Sequence, residues 1–387
     1  KIKKWKTTGC YLTAYAIIYI ENSKLTPEKS DDIYELDKKF TKKIPIPEKL
    51  GKYLTTEKYF HMRDMNTSPD FKTSMDLFYS HYSTIKSEPD NIDGIITVDT
   101  HVLTQLVSIL GPVEIPGYGT FSAEIDKRCD CPQIVYALSE IITRPTPYMR
   151  VDRKGILGPM MQAILSKTYS AGKQAWPKLF ETAWISLQGR HLQMYFMDEK
   201  AQQAAEAVNG AGRMLPPTDG SDFLGIVNAN LGGAKSNLFI TYDVKQTVSA
   251  PENGKLSKTV EITYKNSRKG DNCNLEAGLL CLNARLHDWT RLYLPTGAEL
   301  VEAQGFNKEP STYEEAGFTV VDGFFNLEPM SSAKLVIKYT VPYSDTETYR
   351  VKLWKQGGVS PFTTLFDVAG GEEEVLVNTD TLFTTKF

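Results

Sequence analysis

A change in sequence texture at Gly210–Gly220 constrains the fold more than any other feature of this chain. Before it, strand-like apolar runs alternate with segments whose apolar residues recur at helical spacing, whereas helical periodicity almost disappears after it. The segment itself contains three glycines and the pair Pro216-Pro217, which is typical of a linker or long turn. Because 387 residues exceed what one hydrophobic core usually serves, we predict two domains, residues 1–215 and 216–387.

The first 215 residues predict an α/β domain in which helices cover a sheet. Tyr11–Ile20 and Ile92–Val98 have the aromatic and β-branched composition of strands, and Thr100–Leu110 has apolar residues at helical spacing. The order of strands and helices is not a regular βαβ repeat, so we expect a mixed sheet. Residues 27–60 are charged and contain three prolines, and we expect an exposed insertion with little regular structure before Lys52.

The last 172 residues predict an all-β sandwich. At least seven strand-like segments are separated by clusters of Gly, Pro, Asn and Asp, and Lys334–Tyr339 alternates polar with apolar residues. A glycine pair, Gly232-Gly233, lies between two of these segments but lacks the spacing of a phosphate-binding loop. We interpret it as a hairpin turn.

The five cysteines carry one structural prediction. Cys273 and Cys281 flank a plausible loop, and a disulfide there would stabilise the fold by about 2–3 kcal/mol and indicate an oxidising compartment. Two buried free thiols are the alternative. The Cys129-x-Cys131 pair is too close for an easy mutual bond, and it lacks the second pair that a zinc site needs.

The charge distribution restricts the choice of partner. A net charge of −3 argues against a dedicated nucleic-acid binder. Residues 1–63, however, carry 13 Lys and one Arg against eight carboxylates, which favours an anionic partner such as a phosphate or a membrane surface. A solvated, lysine-rich face explains the same surplus without any partner.

Several stretches carry a family resemblance: Thr8-Gly9-Cys10-Tyr11, Met62–Phe71, Asp93–Asp99, Leu110–Glu114 and, later, Gly305-Phe306 and Phe324–Pro329. On these stretches most of the chain resembles the bacterial envelope family called domain of unknown function 4012. The Thr-Gly-Gly-Phe opening of that family departs at two positions here. The resemblance implies an extracytoplasmic envelope protein, and because the chain begins at Lys1 we expect an anchoring N-terminal segment to have been removed.

A second resemblance rests on the order of five short motifs, which is similar to their order in the LytR-CpsA-Psr family. Along the chain they are Arg63-Asp64, Ile92-Asp93, Gly111-Pro112-Val113, Arg144 and Asp152-Arg153. Members of that family transfer glycopolymers from polyprenyl-pyrophosphate carriers to the cell wall. The similarity implies a LytR-CpsA-Psr-like fold, with Arg63, Arg144 and Arg153 on the pyrophosphate. Asp64 would hold Mg²⁺ or act as the base beside Arg63, and Lys6 and Asp152 would complete the substrate-binding set.

This sequence departs from the second family at three places. The early Arg-x-Asp is replaced by Lys6-Thr7-Thr8-Gly9, Pro145-Thr146 follows Arg144 where a second arginine is usual, and Leu157 replaces a glutamine. These departures favour a domain that kept its fold and lost the transfer reaction. Structural explanations exist for the remaining residues: an ion pair or helix cap at Arg63-Asp64, an N-cap at Asp152, and a helix end at Arg144.

Two function classes follow from the sequence. One is an envelope protein that binds, or weakly transfers, a glycan or cell-wall polymer carried on polyprenyl pyrophosphate. The other is a non-catalytic structural or adhesive surface protein that self-assembles or binds surface partners through its β domain, because a β-rich half offers sheet edges. An ordinary cytoplasmic enzyme is the least favoured, since the sequence shows neither a nucleotide-binding fingerprint nor a nucleophile motif.

Overall fold

The computed structural model describes residues 12–22, 24–143, 155–274 and 279–387. The chain divides into two compact units. The first comprises residues 1–212 together with 271–282, and the second comprises residues 213–270 and 283–387. The division lies three residues from the predicted boundary at 215, but the short segment 271–282 belongs to the first unit rather than to the β domain that surrounds it in sequence.

The first unit is an α/β domain whose strands and helices alternate. Its described elements are β1 (Ala14–Glu21), β2 (Lys24–Asp32), α1 (Ile33–Lys39), β3 (Ile44–Pro45), α2 (Glu48–Gly51), β4 (Tyr59–Phe60), α3 (Phe71–Tyr82), β5 (Gly94–Val98), α4 (Thr100–Leu110), β6 (Val113–Ile115), β7 (Gly119–Phe121), β8 (Ile125–Asp126), β9 (Cys131–Pro132), α5 (Gln133–Thr143), α6 (Leu157–Ser170), α7 (Trp176–Gln188), β10 (Leu192–Phe196) and α8 (Glu199–Ala207). Short 3₁₀ turns lie at Met62–Asp64 and Lys173–Ala175.

The strands of this unit differ from the predicted mixed sheet. Within the described residues they form five separate antiparallel pairs: β1–β2, β3–β4, β5–β10, β6–β7 and β8–β9. Four of these strands are only two residues long, which is too short to extend a sheet. Helices rather than a continuous sheet therefore supply much of the packing.

The expectation of little regular structure before Lys52 was wrong. Residues 24–51 contain β2, α1, β3 and α2. The side chain of Asp32 accepts a hydrogen bond from the Tyr34 amide and so caps α1, which buries Ile33 and Leu36. Pro27 is tolerated in β2 because the β1–β2 register shifts beside it. The high charge of this region concealed a short amphipathic helix.

The second unit is a β sandwich, which the sequence predicted in outline. Its strands are β11 (Asp222–Asn230), β12 (Ile240–Val248), β13 (Lys255–Asn266), β14 (Leu286–Pro295), β15 (Glu299–Gln304), β16 (Ser311–Glu315), β17 (Phe318–Leu327), β18 (Ser331–Pro342), β19 (Thr348–Trp354), β20 (Phe362–Val368), β21 (Gly371–Val377) and β22 (Thr381–Lys386). One six-stranded sheet has the order β16-β17-β14-β11-β19-β22 and the other β15-β18-β13-β12-β20-β21. One hydrophobic cluster contains buried residues of both sheets, so the sheets pack face to face.

The glycine pair Gly232-Gly233 does not form the predicted hairpin turn. β11 pairs with β14 and β19, whereas β12 pairs with β13 and β20 in the opposite sheet. The loop between β11 and β12 therefore crosses from one sheet to the other. Every residue of β11 is buried, as expected of a central strand with a parallel neighbour.

Two disulfides are present. Cys273 is bonded to Cys281, as the sequence predicted. Cys129 is bonded to Cys131, contrary to the expectation that these residues are too close. Asp130 between them has a φ of +48°, and this left-handed turn brings the two cysteine side chains to the same side of the backbone.

None of the helices in the described ranges is long and apolar enough to cross a membrane.

Candidate functional site

Arg63, a predicted pyrophosphate ligand, lies in a buried ion-pair network. Its Nη1 donates to Oδ2 of Asp37 at 2.6 Å, and Nη2 lies 3.6 Å from Oε1 of Glu57. The guanidinium also stacks over the ring of Tyr34, with 5.1 Å between them. Burial works against the charged form, but the hydrogen bond to Asp37 and the nearby carboxylates raise the pKa of Arg63 above its ordinary value. The fork that would bind a phosphate is thus already engaged by carboxylates of the same chain.

Asp64, the predicted magnesium ligand or base, is also part of the local structure. Its Oδ2 accepts a hydrogen bond from the backbone amide of His61, which caps the 3₁₀ turn Met62–Asp64. Its Oδ1 lies 3.7 Å from Nε of Arg63, so a guanidinium stands beside this oxygen. Within the part of the chain that the structure describes, no three His, Cys, Asp or Glu side chains gather as a metal site. Asp64 thus caps the turn and lies beside a guanidinium, and its role as a magnesium ligand remains a prediction.

The other predicted site residues are Lys6, Arg144, Asp152 and Arg153, and all four lie outside the described residues. Whether they converge with Arg63 therefore remains a prediction.

Part of the positive surplus in residues 1–63 is neutralised around Glu88. Oε1 of this glutamate accepts hydrogen bonds from Nζ of Lys29 at 2.7 Å and Nζ of Lys39 at 2.5 Å. The hydroxyl of Tyr15 donates to the same oxygen at 3.2 Å. Burial opposes ionisation, but the two lysine hydrogen bonds hold the pKa of Glu88 below its ordinary value. The lysine-rich segment is therefore less basic at its surface than its composition indicates.

A carboxylate and an imidazole meet where β5 ends and β10 begins. Oδ2 of Asp99 lies 2.6 Å from Nδ1 of His191, and the His191 ring stacks on His101 with 4.2 Å between centroids. An aspartate on Nδ1 fixes the imidazole tautomer and leaves Nε2 as its reactive nitrogen, as in general-base dyads. In the described part of the chain no hydroxyl or thiol is hydrogen-bonded to Nε2 of His191. Sequence reasoning missed this pair because its members are 92 residues apart.

Helix α7 exposes an aromatic face. Trp176, Phe180 and Trp184 lie on successive turns, with exposed fractions of 37%, 68% and 53%. Ile185 continues the exposed face, whereas Leu179 and Leu187 are buried and anchor the helix. Soluble helices usually present polar residues on their outer side, so this pattern indicates a surface that contacts something apolar. Helical periodicity alone does not show which face of this helix is outermost, whereas the structure does.

Lysines border this aromatic face. Lys173, in the turn before α7, and Lys178, within the helix, are both exposed, and Glu181 is the one exposed carboxylate of the helix. Tryptophan and lysine together are typical of helices that lie at a membrane–water interface, where the rings enter the headgroup layer and the ammonium groups meet anionic lipid.

Residues 4–127 match the model of a family described as "Protein of unknown function (DUF4012)". The match agrees with the first of the two resemblances seen in the sequence, and no comparison supports the LytR-CpsA-Psr resemblance. A search of curated proteins found no match.

Solved structures give only weak similarities. A putative nutrient binding protein from Legionella pneumophila aligns with a TM-score of 0.25 and 9% identity over 38% of this chain and 54% of that one. An M1 zinc metallopeptidase from Deinococcus radiodurans (TM-score 0.16, 15% identity) aligns over 33% and 31%, and leukotriene A4 hydrolase from Saccharomyces cerevisiae (TM-score 0.20, 13% identity) over 35% and 25%. The chain spans about half the length, or less, of these proteins.

Proposed function

We propose that this chain is an extracytoplasmic envelope protein whose α/β domain docks on an anionic membrane surface and binds a lipid-linked, polyprenyl-pyrophosphate glycan without transferring it. The observation that carries the proposal is the exposed aromatic face of α7, bordered by Lys173 and Lys178. A carrier of this kind is embedded in the bilayer by its polyprenyl chain, so a protein that binds it must work at the lipid surface.

The buried contacts of Arg63 and Asp64 support binding without transfer. A phosphoryl-transfer site needs guanidinium groups and a metal ion that face the substrate. Here Asp37 and Glu57 already neutralise Arg63, and Asp64 caps a turn. We therefore assign recognition of the carrier phosphates to Arg144 and Arg153, together with Lys6 and Asp152, as the LytR-CpsA-Psr resemblance implies.

A structural or adhesive role through the β domain is the second hypothesis, and the four edge strands bear on it. β21 carries Glu372, Glu373 and Glu374, β15 and β16 each carry two glutamates, and β22 ends with Lys386. Charged edge strands oppose edge-to-edge pairing with other sheets. Assembly through this domain would have to use its loops or outer faces, and no described residue favours that use specifically.

Vesicle sedimentation tests the proposal. The full chain is mixed with vesicles of phosphatidylglycerol and phosphatidylethanolamine, with or without undecaprenyl pyrophosphate. We expect binding to the anionic vesicles, and a Phe180→Ser/Trp184→Ser variant to lose affinity on the order of tenfold or more, since each buried aromatic contributes about 1.5–3 kcal/mol. Leu376→Ser, which changes an equally exposed apolar residue of β21, is the matched control and should bind normally.

A comparison of vesicles with and without undecaprenyl pyrophosphate distinguishes docking on the lipid surface from binding of the glycan carrier. Vesicles that contain undecaprenyl pyrophosphate should bind more tightly than vesicles without it, and Arg144→Ala/Arg153→Ala should abolish only this increment. Equal binding to both kinds of vesicle would refute carrier recognition, and failure to bind any anionic vesicle would refute the membrane role as well.

A further inference from the structure

The core of the β domain contains a lysine, an aspartate and a tyrosine that are completely removed from solvent. Nζ of Lys258 lies 2.6 Å from Oδ2 of Asp222, and neither side chain has any exposed surface. The hydroxyl of Tyr349 donates to the same Oδ2 at 2.6 Å and accepts a hydrogen bond from Nζ of Lys258 at 3.0 Å. Oδ1 of Asp222 accepts a hydrogen bond from the backbone amide of Phe223 at 2.7 Å. Each oxygen of the carboxylate therefore has a defined donor.

These residues come from both sheets of the sandwich. Asp222 begins β11, and Tyr349 lies on β19, the parallel neighbour of β11. Lys258 lies on β13 in the facing sheet, where Tyr339 of β18 is its cross-strand partner. The Lys258–Asp222 contact thus spans the interior of the sandwich, surrounded by apolar side chains of the shared core.

A permanent Lys258–Asp222 ion pair at this buried position costs free energy. Taking two charges out of water costs several kcal/mol per ion, and replacing a buried pair with uncharged groups is often neutral or stabilising. Burial is the largest influence on Lys258 and lowers its pKa despite the attraction of Asp222, so the low-dielectric core favours the neutral amine. A neutral amine is also the nucleophilic form of lysine.

Among the described residues, the buried hydroxyl of Tyr339 is a second and independent sign of an unsatisfied polar group in this core. It is buried and, among the residues that the structure describes, it has no hydrogen-bond partner. Burial first, and then the charge of Asp222, raise the pKa of Tyr339 well above its ordinary value. A buried hydroxyl left without a partner is destabilising unless another polar group or a water molecule reaches it.

We propose that Lys258 and Asp222 condense to an intramolecular amide, so that the two sheets of the β domain become covalently joined. The bond that forms is Nζ–Cγ and the bond that breaks is Cγ–Oδ2. Counted from the ammonium and carboxylate forms, one of the three protons on Nζ stays on the amide nitrogen and two leave with Oδ2 as water; the neutral amine and carboxylic acid give the same products. The positive and negative charges disappear together, so the step needs no oxidant, reductant or activated co-substrate.

The surrounding groups match the requirements of this step. Tyr349 contacts both reacting groups and can relay a proton from Nζ to the departing Oδ2, which makes it the catalytic residue of the condensation. The Phe223 amide faces Oδ1, where negative charge develops when Nζ attacks Cγ. Tyr339 lies across from Lys258, where it can hydrogen-bond the released water or the new amide.

Intact-mass spectrometry of the reduced full-length chain tests whether the Lys258–Asp222 amide forms. We expect the wild-type mass to be lower than the sequence mass by one water, about 18 Da. Trypsin should fail to cleave after Lys258, and a branched peptide should join the segments that contain Asp222 and Lys258. A wild-type chain at the full sequence mass, with normal cleavage after Lys258, would overturn the proposal, and this measurement does not depend on whether any variant folds.

Variants test the assignment of roles. Lys258→Ala and Asp222→Ala should each restore the full mass, whereas Lys265→Ala, which removes an exposed lysine of the same strand, should keep the loss of water. Tyr349→Phe should still lose water, but more slowly on the order of a hundredfold, in a time course of refolded protein. An unchanged rate in Tyr349→Phe would contradict its role as the proton relay.

Discussion

Nδ1 of His191 lies 2.6 Å from Oδ2 of Asp99, directly beyond the last paired residues of β5 and β10. The other oxygen of Asp99 accepts hydrogen bonds from the amides of His101 and Val102 and so caps α4. One buried carboxylate therefore fixes both the start of a helix and the orientation of an imidazole.

Because Asp99 has both roles, its replacement by Asn and its replacement by Ala should lower stability by different amounts. Asn at this position still caps a helix, so Asp99→Asn should lose only the bond to His191, about 1 kcal/mol. Asp99→Ala should lose the cap as well, about 2 kcal/mol in total. Urea titration with hydrogen exchange of α4 peptides measures both values. Asp198→Ala, which removes the cap of α8 alone, is the control, and equal effects of Asn and Ala would contradict the double role.

Arg63 should be important for stability. Arg63→Met leaves the carboxylate of Asp37 buried without a counter-charge, and we expect a loss of about 3 kcal/mol in the free energy of unfolding. The double variant Arg63→Met/Asp37→Leu should recover much of that loss, because neither charge remains. Lys38→Met, which breaks an exposed pair with Glu35, should change little. A harmless Arg63→Met would instead mean that this guanidinium is available to a ligand.

Glu88 predicts how the α/β domain responds to acid. Its pKa in the folded state is below the ordinary value of 4.5, so its contribution is complete above that pH and disappears as the pH falls through the lower, folded value. Glu88→Gln should therefore be less stable than wild type at neutral pH, and the difference should shrink below about pH 4.5. Urea midpoints measured between about pH 3 and about pH 7 test this, with Glu35→Gln as the exposed control. A difference that stayed constant with pH would exclude the Lys29–Glu88–Lys39 cluster.

Substitutions at two glycines with the same φ distinguish the stability cost of backbone strain from that of a steric clash. Gly305 and Gly370 both have a φ of +90°. A Cβ at Gly305 would lie 2.0 Å from the carbonyl oxygen of Lys334, whereas a Cβ at Gly370 meets nothing within 4 Å. Gly370→Ala should thus cost about 1 kcal/mol from backbone strain alone, and Gly305→Ala at least about 2 kcal/mol more. Thermal unfolding of the two variants compares them, and similar melting temperatures would count against the close approach at Gly305.

Local sequence signals predicted the elements that local chemistry determines. Thr100–Leu110 has the ends that the sequence predicted, because an aspartate caps the helix and Gly111-Pro112 stops it. The helix that begins at Phe71 has a local signal of the same kind, with Asp70 as its cap. Capping and breaking residues act within a few positions, so one sequence is sufficient to detect them.

Contacts between residues far apart in the sequence could not be predicted from such local signals. Gly232-Gly233 has the composition of a hairpin, and only the pairing of β11 with strands far along the chain shows that the chain changes sheets there. The Cys129–Cys131 bond depends on a left-handed Asp130 that composition does not reveal. For the site, the sequence offered an ion pair or helix cap at Arg63-Asp64 as the structural alternative to a ligand site. It could not identify Asp37 and Glu57 as partners of Arg63, since both lie in a segment expected to be irregular.

The central position of β11 has a consequence for biosynthesis. This wholly buried strand is flanked on one side by β19, and Tyr349, which completes the polar cluster at Asp222, follows 127 residues later. At translation rates of about 5–20 residues per second, that distance is on the order of ten seconds. Throughout this interval the edge of the nascent β11 that later pairs with β19 is open, so the sandwich completes its fold only after its last strands have been synthesised.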